Sequence, residues 1–214
     1  MVKFVSLEVI TAFRTISAPS SGHLRERGSR FLSFAFRVEN ETKIRAHLDR
    51  LRKEYFDATH HCFAWRLGAD GSHYRANDDG EPGHSAGDSI LGQLRSRNLT
   101  DVLVVVVRYY GGTNLGVGGL VKAYRGATAL ALDATTIIEV QVKLRWKLGC
   151  RYHELSELMK IAKTPGNELV SSTIGEHCSV VVEAPAGFDL AARAESLSLR
   201  GIGLTCERLD DDSA

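Results

Sequence analysis

Tryptophan and methionine occur twice each in this chain, and cysteine and proline four times each. Cys62, Cys150, Cys178 and Cys206 are widely scattered, with no Cys-x-x-Cys spacing and no histidines at zinc-ligand intervals. That excludes a disulfide scaffold and a zinc ribbon, and leaves free thiols in a core. Long apolar runs are absent too. The longest, Val102 to Val107, falls far short of the roughly 20 residues of a membrane-spanning helix. The start, Met1 to Phe13, has a single early Lys3 and is interrupted by Glu8, so it lacks the pattern of a secretory signal, and a cytoplasmic protein is expected. Charge of one sign is also lacking, since the formal net charge is +1.

An apolar fraction of 43% in 214 residues suits one large soluble domain or two small ones. Charge separates along the chain. Residues 1–135 hold 18 Lys or Arg against 14 Asp or Glu, whereas residues 136–214 hold 9 against 12, which makes the first part the better anion binder. Four of its cations, Arg45, Arg50, Arg52 and Lys53, fall on a predicted helix where such charges form a solvated face.

The pattern is that of an α+β protein. Phe31 to Val38 reads as a strand. Asn40 caps a helix carrying Ile44, Leu48, Leu51 and Tyr55. Cys62 to Leu67 and a short stretch around Tyr74 are further strands, and a polar loop from Asn77 to Gly83 leads to a helix with Ile90, Leu91 and Leu94 on one face. Leu103 to Val107 is a continuous β-branched strand expected to be buried on both faces, followed by a helix bearing Leu120, Ala123, Ala127 and Leu130. Near residue 135 the pattern restarts. A strand over 137–148, a helix ending at Pro165, two strands around Gly175, a helix over 188–197 and a strand over 202–206 give βαββαβ, the ferredoxin-like order. The expected division is 1–135, 136–209 and an acidic tail over 210–214.

Five glycines lie within nine residues: Gly111, Gly112, Gly116, Gly118 and Gly119. Between a strand and a helix, such a run offers clustered amide N–H groups to an anion, with Arg108 and Lys122 adding positive charge. It equally permits a tight turn and close helix packing, and the two readings stand side by side. A Walker loop is excluded because Gly119 precedes Leu120, and the dinucleotide fingerprint because Gly112 and Gly116 are wrongly spaced. The loop with Asp78, Asp79, Glu81 and His84 gathers carboxylates that could ligate Mg²⁺, though the same residues are ordinary turn chemistry. Gly83-His84-Ser85-Ala86-Gly87 matches the serine-nucleophile elbow in letters but lacks the strand that must lead into it. Ser85 is better read as a helix cap. Cys62, beside His60 and His61, is read as a core residue in preference to a nucleophile.

Gly28, Ser29, Phe31, Ala58 to His60, Cys62, Ala64, Asp78 to Pro82 and Arg108 to Tyr124 together resemble the IMPACT family over about residues 20–132. The resemblance implies a first domain similar to the second domain of ribosomal protein S5 and a ferredoxin-like second domain similar to the last domain of elongation factor G. It also implies a link to translation, with RNA or the ribosome as partner. The family's usual glycine is His84 here. The expected site therefore pairs Arg108, Gly111, Gly112, Gly116, Gly118, Gly119 and Lys122 with His60, Asp78, Asp79, Glu81, His84 and Ser85, with no cofactor and no metal. Either RNA or a small phosphorylated or nucleotide-like substrate would occupy it.

Overall fold

The computed structural model describes residues 9–199 and 201–209, so the expected tail over 210–214 lies outside the described residues. It is an α+β structure. Its strands are β1 (Ala12–Ile16), β2 (Ser20–Glu26), β3 (Ser29–Arg37), β4 (His60–Leu67), β5 (His73–Asn77), β6 (Val102–Tyr109), β7 (Ile137–Gln141), β8 (Lys143–Arg151), β9 (Glu168–Thr173), β10 (His177–Pro185) and β11 (Thr205–Leu209). Its helices are α1 (Glu41–Glu54), α2 (Gly87–Ser96), α3 (Gly116–Asp133), α4 (Leu155–Ala162) and α5 (Leu190–Ser198), with one 3₁₀ turn over Tyr152–Glu154. Contacts within the chain divide it into Phe13–Val140 and a second unit from Gln141 onward, which the described residues up to Ala12 join.

In the first unit five strands pair in the order β2-β3-β6-β4-β5. β6 is central, and Val102 to Val107 are each fully buried. Its alternate side chains serve two cores, as the unbroken β-branched run predicts. Val102, Val104 and Val106 pack with Phe31, Cys62 and the apolar faces of α2 and α3. Leu103, Val105 and Val107 pack with Phe36, Phe63, Trp65 and the α1 residues Ile44, Leu48 and Leu51. The Asn40 side chain accepts from the Lys43 amide at 2.9 Å, capping α1 as expected. The cations Arg45, Arg50, Arg52 and Lys53 are exposed on α1. Two strands escaped the sequence reading: β1, only five residues long, and the edge strand β2, whose residues are mostly small or polar and half-exposed.

The second unit orders its strands β11-β8-β10-β9. With α4 and α5 between them in sequence, this is the ferredoxin-like arrangement. Its core of Leu148, Leu158, Ile161, Val180, Val182 and Leu190 shares no residue with the other two. The strand expected over 137–148 is in fact two. β7 pairs with β1, and after Val142 the chain continues as β8 in the second sheet, while Val142 itself donates to Thr11 O at 2.8 Å and accepts from Ala186 N at 2.7 Å. The last strand begins at Thr205, later than the pattern suggested.

Candidate functional site

The glycine-rich segment leaves β6 and enters α3 through a turn fixed by contact with the β2–β3 hairpin. Gly111 N donates to Ser29 Oγ at 3.2 Å. A Cβ on Gly111 would fall 1.9 Å from Gly28 C and 2.2 Å from Ser29 N, so no other residue fits there. The first turn of α3 opens without a cap. Leu115 occupies the N-cap position with no side-chain hydrogen bond, and no acidic residue lies in the first turn. The leading amides of an α-helix have no partners within the helix, and they carry its positive dipole end.

Beneath that end lies a buried polar network. Arg108 is only 4% exposed and Glu81 8%, and Arg108 Nη1 donates to Glu81 Oε1 at 2.6 Å. The Tyr124 hydroxyl donates to the same oxygen at 2.6 Å. Cys62 Sγ sits 3.3 Å from the Tyr124 hydroxyl and 3.0 Å from Asp78 O. Burial pushes both the Cys62 thiol and the Tyr124 phenol up, so neither ionises in ordinary conditions. That agrees with Cys62 as a core residue. Arg108 Nη2 reaches Ser29 Oγ at 3.4 Å, while its Nε has no partner.

His60 completes the arrangement. Its Nδ1 lies 2.8 Å from Asp79 O, and a carbonyl only accepts, so Nδ1 carries the proton when the ring is neutral and Nε2 is left with its lone pair. Nε2 is 3.9 Å from Glu81 Oε1. A cleft of about 450 Å³ opens here, lined by His60, Glu81, Arg108, Tyr110, Asn114 and the first turn of α3, among others. Glu81 and Pro82 from the polar loop and Arg108 and Gly116 from the glycine-rich segment thus line one cleft, whereas Gly111, Gly112, Gly118 and Gly119 do not.

The Impact N-terminal domain model matches residues 27–132. The chain is 35% identical over 160 residues to the IMPACT family member YigZ of Escherichia coli (strain K12), covering 74% of this chain and 78% of that protein. It belongs to the IMPACT family. The IMPACT family member YvyE of Bacillus subtilis (strain 168) is 38% identical over 111 residues, covering 52% of this chain and 51% of that one. A crystal structure of a hypothetical protein, 30% identical, superposes with a TM-score of 0.71 over 94% of this chain and 99% of its own.

Other expected site residues of this IMPACT family chain do different work. Asp78 is a scaffold: Oδ1 accepts from the Ala86 and Gly87 amides at 2.9 and 2.8 Å, and Oδ2 from the His84 amide at 2.9 Å. Burial acts to raise its pKa, but the three amides outweigh it and hold the carboxyl below its usual range. Asp78 therefore supplies the cap of α2 that was expected from Ser85, whose buried hydroxyl instead donates to Pro82 O at 2.6 Å. Asp79 Oδ2 accepts from the His61 amide at 2.7 Å. Both aspartates are engaged in this way, and among the described residues no group of three or more His, Cys, Asp or Glu is placed to hold a metal. His84 is exposed, adopts φ 64° and pairs with Asp88 at 2.7 Å, a hydrogen bond that raises its pKa. Lys122 is exposed on α3 and does not line the cleft. Tyr110, Asn114 and Tyr124 line or support the cleft without having been singled out. Tyr124 follows the apolar spacing of Leu120, Ala123 and Ala127, which hides its hydroxyl among core positions.

Proposed function

We propose that this chain is a phosphate-recognition module, in which the cleft holds a phosphate-bearing group of nucleotide size at the start of α3. One observation carries the reading: an uncapped helix N-terminus, free of acidic residues, opens into a cleft beside Arg108 and His60. Because Arg108 is neutralised by Glu81, the amides that open α3 are the groups left to meet an anion. The translation link implied by family resemblance supports RNA or the ribosome as the source of the phosphate; a free nucleotide-like molecule offers the same chemistry.

The test is titration of the protein with adenosine 5′-monophosphate and with a short oligoribonucleotide, following the amide signals of Gly116 to Leu120 by NMR. Saturable shifts are expected in the wild type, and their loss in Gly118→Asp, which sets a carboxylate among those amides. Absence of saturable shifts with either probe would sink the reading. Whichever probe binds more tightly identifies the source.

A second reading is enzymatic. His60 lines the cleft with Nδ1 turned to Asp79 O, so in the neutral ring Nε2 holds the lone pair and is placed to accept a proton from a bound substrate. This reading supports an activity on a small phosphorylated substrate, expected to disappear in His60→Gln while phosphate binding persists.

A further inference from the structure

The tip of the β2–β3 hairpin carries three arginines in six residues, Arg25, Arg27 and Arg30, all exposed. Their placement is unfavourable for the fold alone. Arg25 and Arg30 face each other directly across the ladder, where like charges destabilise a sheet. Arg27 and Gly28 form the two-residue turn with φ 45° and 82°, a type I′ geometry that favours Asn, Asp or Gly at Arg27's position. Among the described residues none of the three arginines forms an ion pair, and the one acidic neighbour at the tip, Glu26, forms none either. Arg30 instead lies over the Tyr109 ring at 4.4 Å, so Arg25, Arg30 and Tyr109 make a row across β2, β3 and β6.

We infer that this tip is a binding surface for the phosphodiester backbone of a single-stranded nucleic acid. Directly opposed residues of an antiparallel pair have Cα atoms roughly 4.5–5.5 Å apart, so Arg25 and Arg30 set two positive charges side by side, Arg30 leaning onto the Tyr109 ring, and their mutual repulsion becomes attraction for a phosphate backbone laid along the row. Arg27 at the turn adds a third. The row lies on the α1 face of the sheet, with Tyr109 against the core of Leu103, Val105 and Val107, and the tip abuts the glycine-rich turn, with Gly28 against Gly111. Basic groups alternating with aromatic rings are how proteins hold single strands without reading sequence. The inference goes beyond the cleft, because the hairpin residues do not line it.

Fluorescence anisotropy with a labelled oligouridylate in a salt series tests this on the full chain. With about 0.7 counterions released per single-strand phosphate, Arg25→Ala and Arg30→Ala are each expected to weaken binding and flatten the log–log salt slope. Arg27→Asn removes a charge while suiting the turn, so it is expected to flatten the slope by about 0.7 without lowering the melting temperature. Lys53→Ala, on the solvated face of α1, serves as the unaffected control. Equal affinity and slope for Arg27→Asn and wild type would overturn the inference. So would binding to vesicles containing phosphatidylserine with none to the oligonucleotide. Gly118→Asp separates the two sites: hairpin-dependent oligonucleotide binding that survives in it supports the hairpin even if the cleft fails to bind adenosine monophosphate.

Discussion

At the scale of single residues, the buried pair of Arg108 and Glu81 is the least economical feature of the first unit. Two charges have been taken out of water and joined by one short contact and a tyrosine hydroxyl, an arrangement that apolar residues of similar volume often match or better for stability. Removing one partner leaves the other charge buried and alone. Arg108→Ala is therefore expected to cost about 3–5 kcal/mol, whereas Glu81→Leu combined with Arg108→Met should cost less than either single change; urea unfolding of the four proteins in a double-mutant cycle measures it. This is why Arg108→Ala is a poor probe of binding and Gly118→Asp a better one. Asp78 offers a second test. Its folded pKa is depressed by the amides of His84, Ala86 and Gly87, so its contribution is present above the unfolded value of about 4 and is lost as pH falls through the folded value. Asp78→Ala is expected to lose about 1–3 kcal/mol at pH 7, and the gap between its urea midpoint and the wild type's should narrow toward pH 3.

At the scale of elements, α3 is built against its own interests. Its first turn holds Gly118 and Gly119, the poorest ordinary helix formers, after Gly116, whose φ of 68° favours glycine, and no cap. A Cβ at Gly118 meets nothing within 4 Å, so Gly118→Asp introduces no clash and adds a negative charge at the positive end. It is expected to raise stability by about 0.5–1.5 kcal/mol, read as a higher melting temperature, while abolishing anion binding. A gain in stability with a loss of binding separates a functional cost from a packing need. What the sequence disclosed at this scale follows the strength of its periodicities. The β6 run and the apolar faces of α1 and α3 were legible because burial on both sides of a central strand, or on one face of a helix, leaves an unbroken pattern, although Leu130, expected on the α3 face, is 43% exposed and Tyr124 and Ala131 are buried there. β2 was not legible, since a half-exposed strand of Ser, Gly, His and Arg carries no apolar alternation to read, and β1, five residues ending in the buried Thr15 and Ile16, was too short to show one. In the site, Glu81 and Arg108 were legible as chemistry-bearing residues, but their mutual contact spans 27 positions, and no local spacing encodes it. Asp78 took the capping role expected of Ser85 for the same reason: a carboxylate folding back on three amides is a property of loop conformation, which residue type alone does not fix.

For the whole molecule, the separation of cores has a thermodynamic consequence. The βαββαβ order was legible because each element of the second unit has its own period and turn, while the change of partner at Val142 was not, because Ile137 to Leu148 reads as one extended stretch whichever sheet receives it. The core around Leu158 shares no residue with the cores on either side of β6. Leu158 is fully buried, so Leu158→Ala should remove about 2–5 kcal/mol from the unit that contains it. Energetic effects of substitutions without shared partners add independently, and regions of a protein open with their own free energies. Amide hydrogen exchange is therefore expected to quicken across β8, β10 and α4 in Leu158→Ala while β3 and β6 keep wild-type protection. Equal acceleration in both units would mean that they unfold as one cooperative body. If the exchange is confined as expected, the cleft proposed to hold phosphate stands on a self-sufficient unit, and Leu158→Ala should leave binding of adenosine monophosphate unchanged.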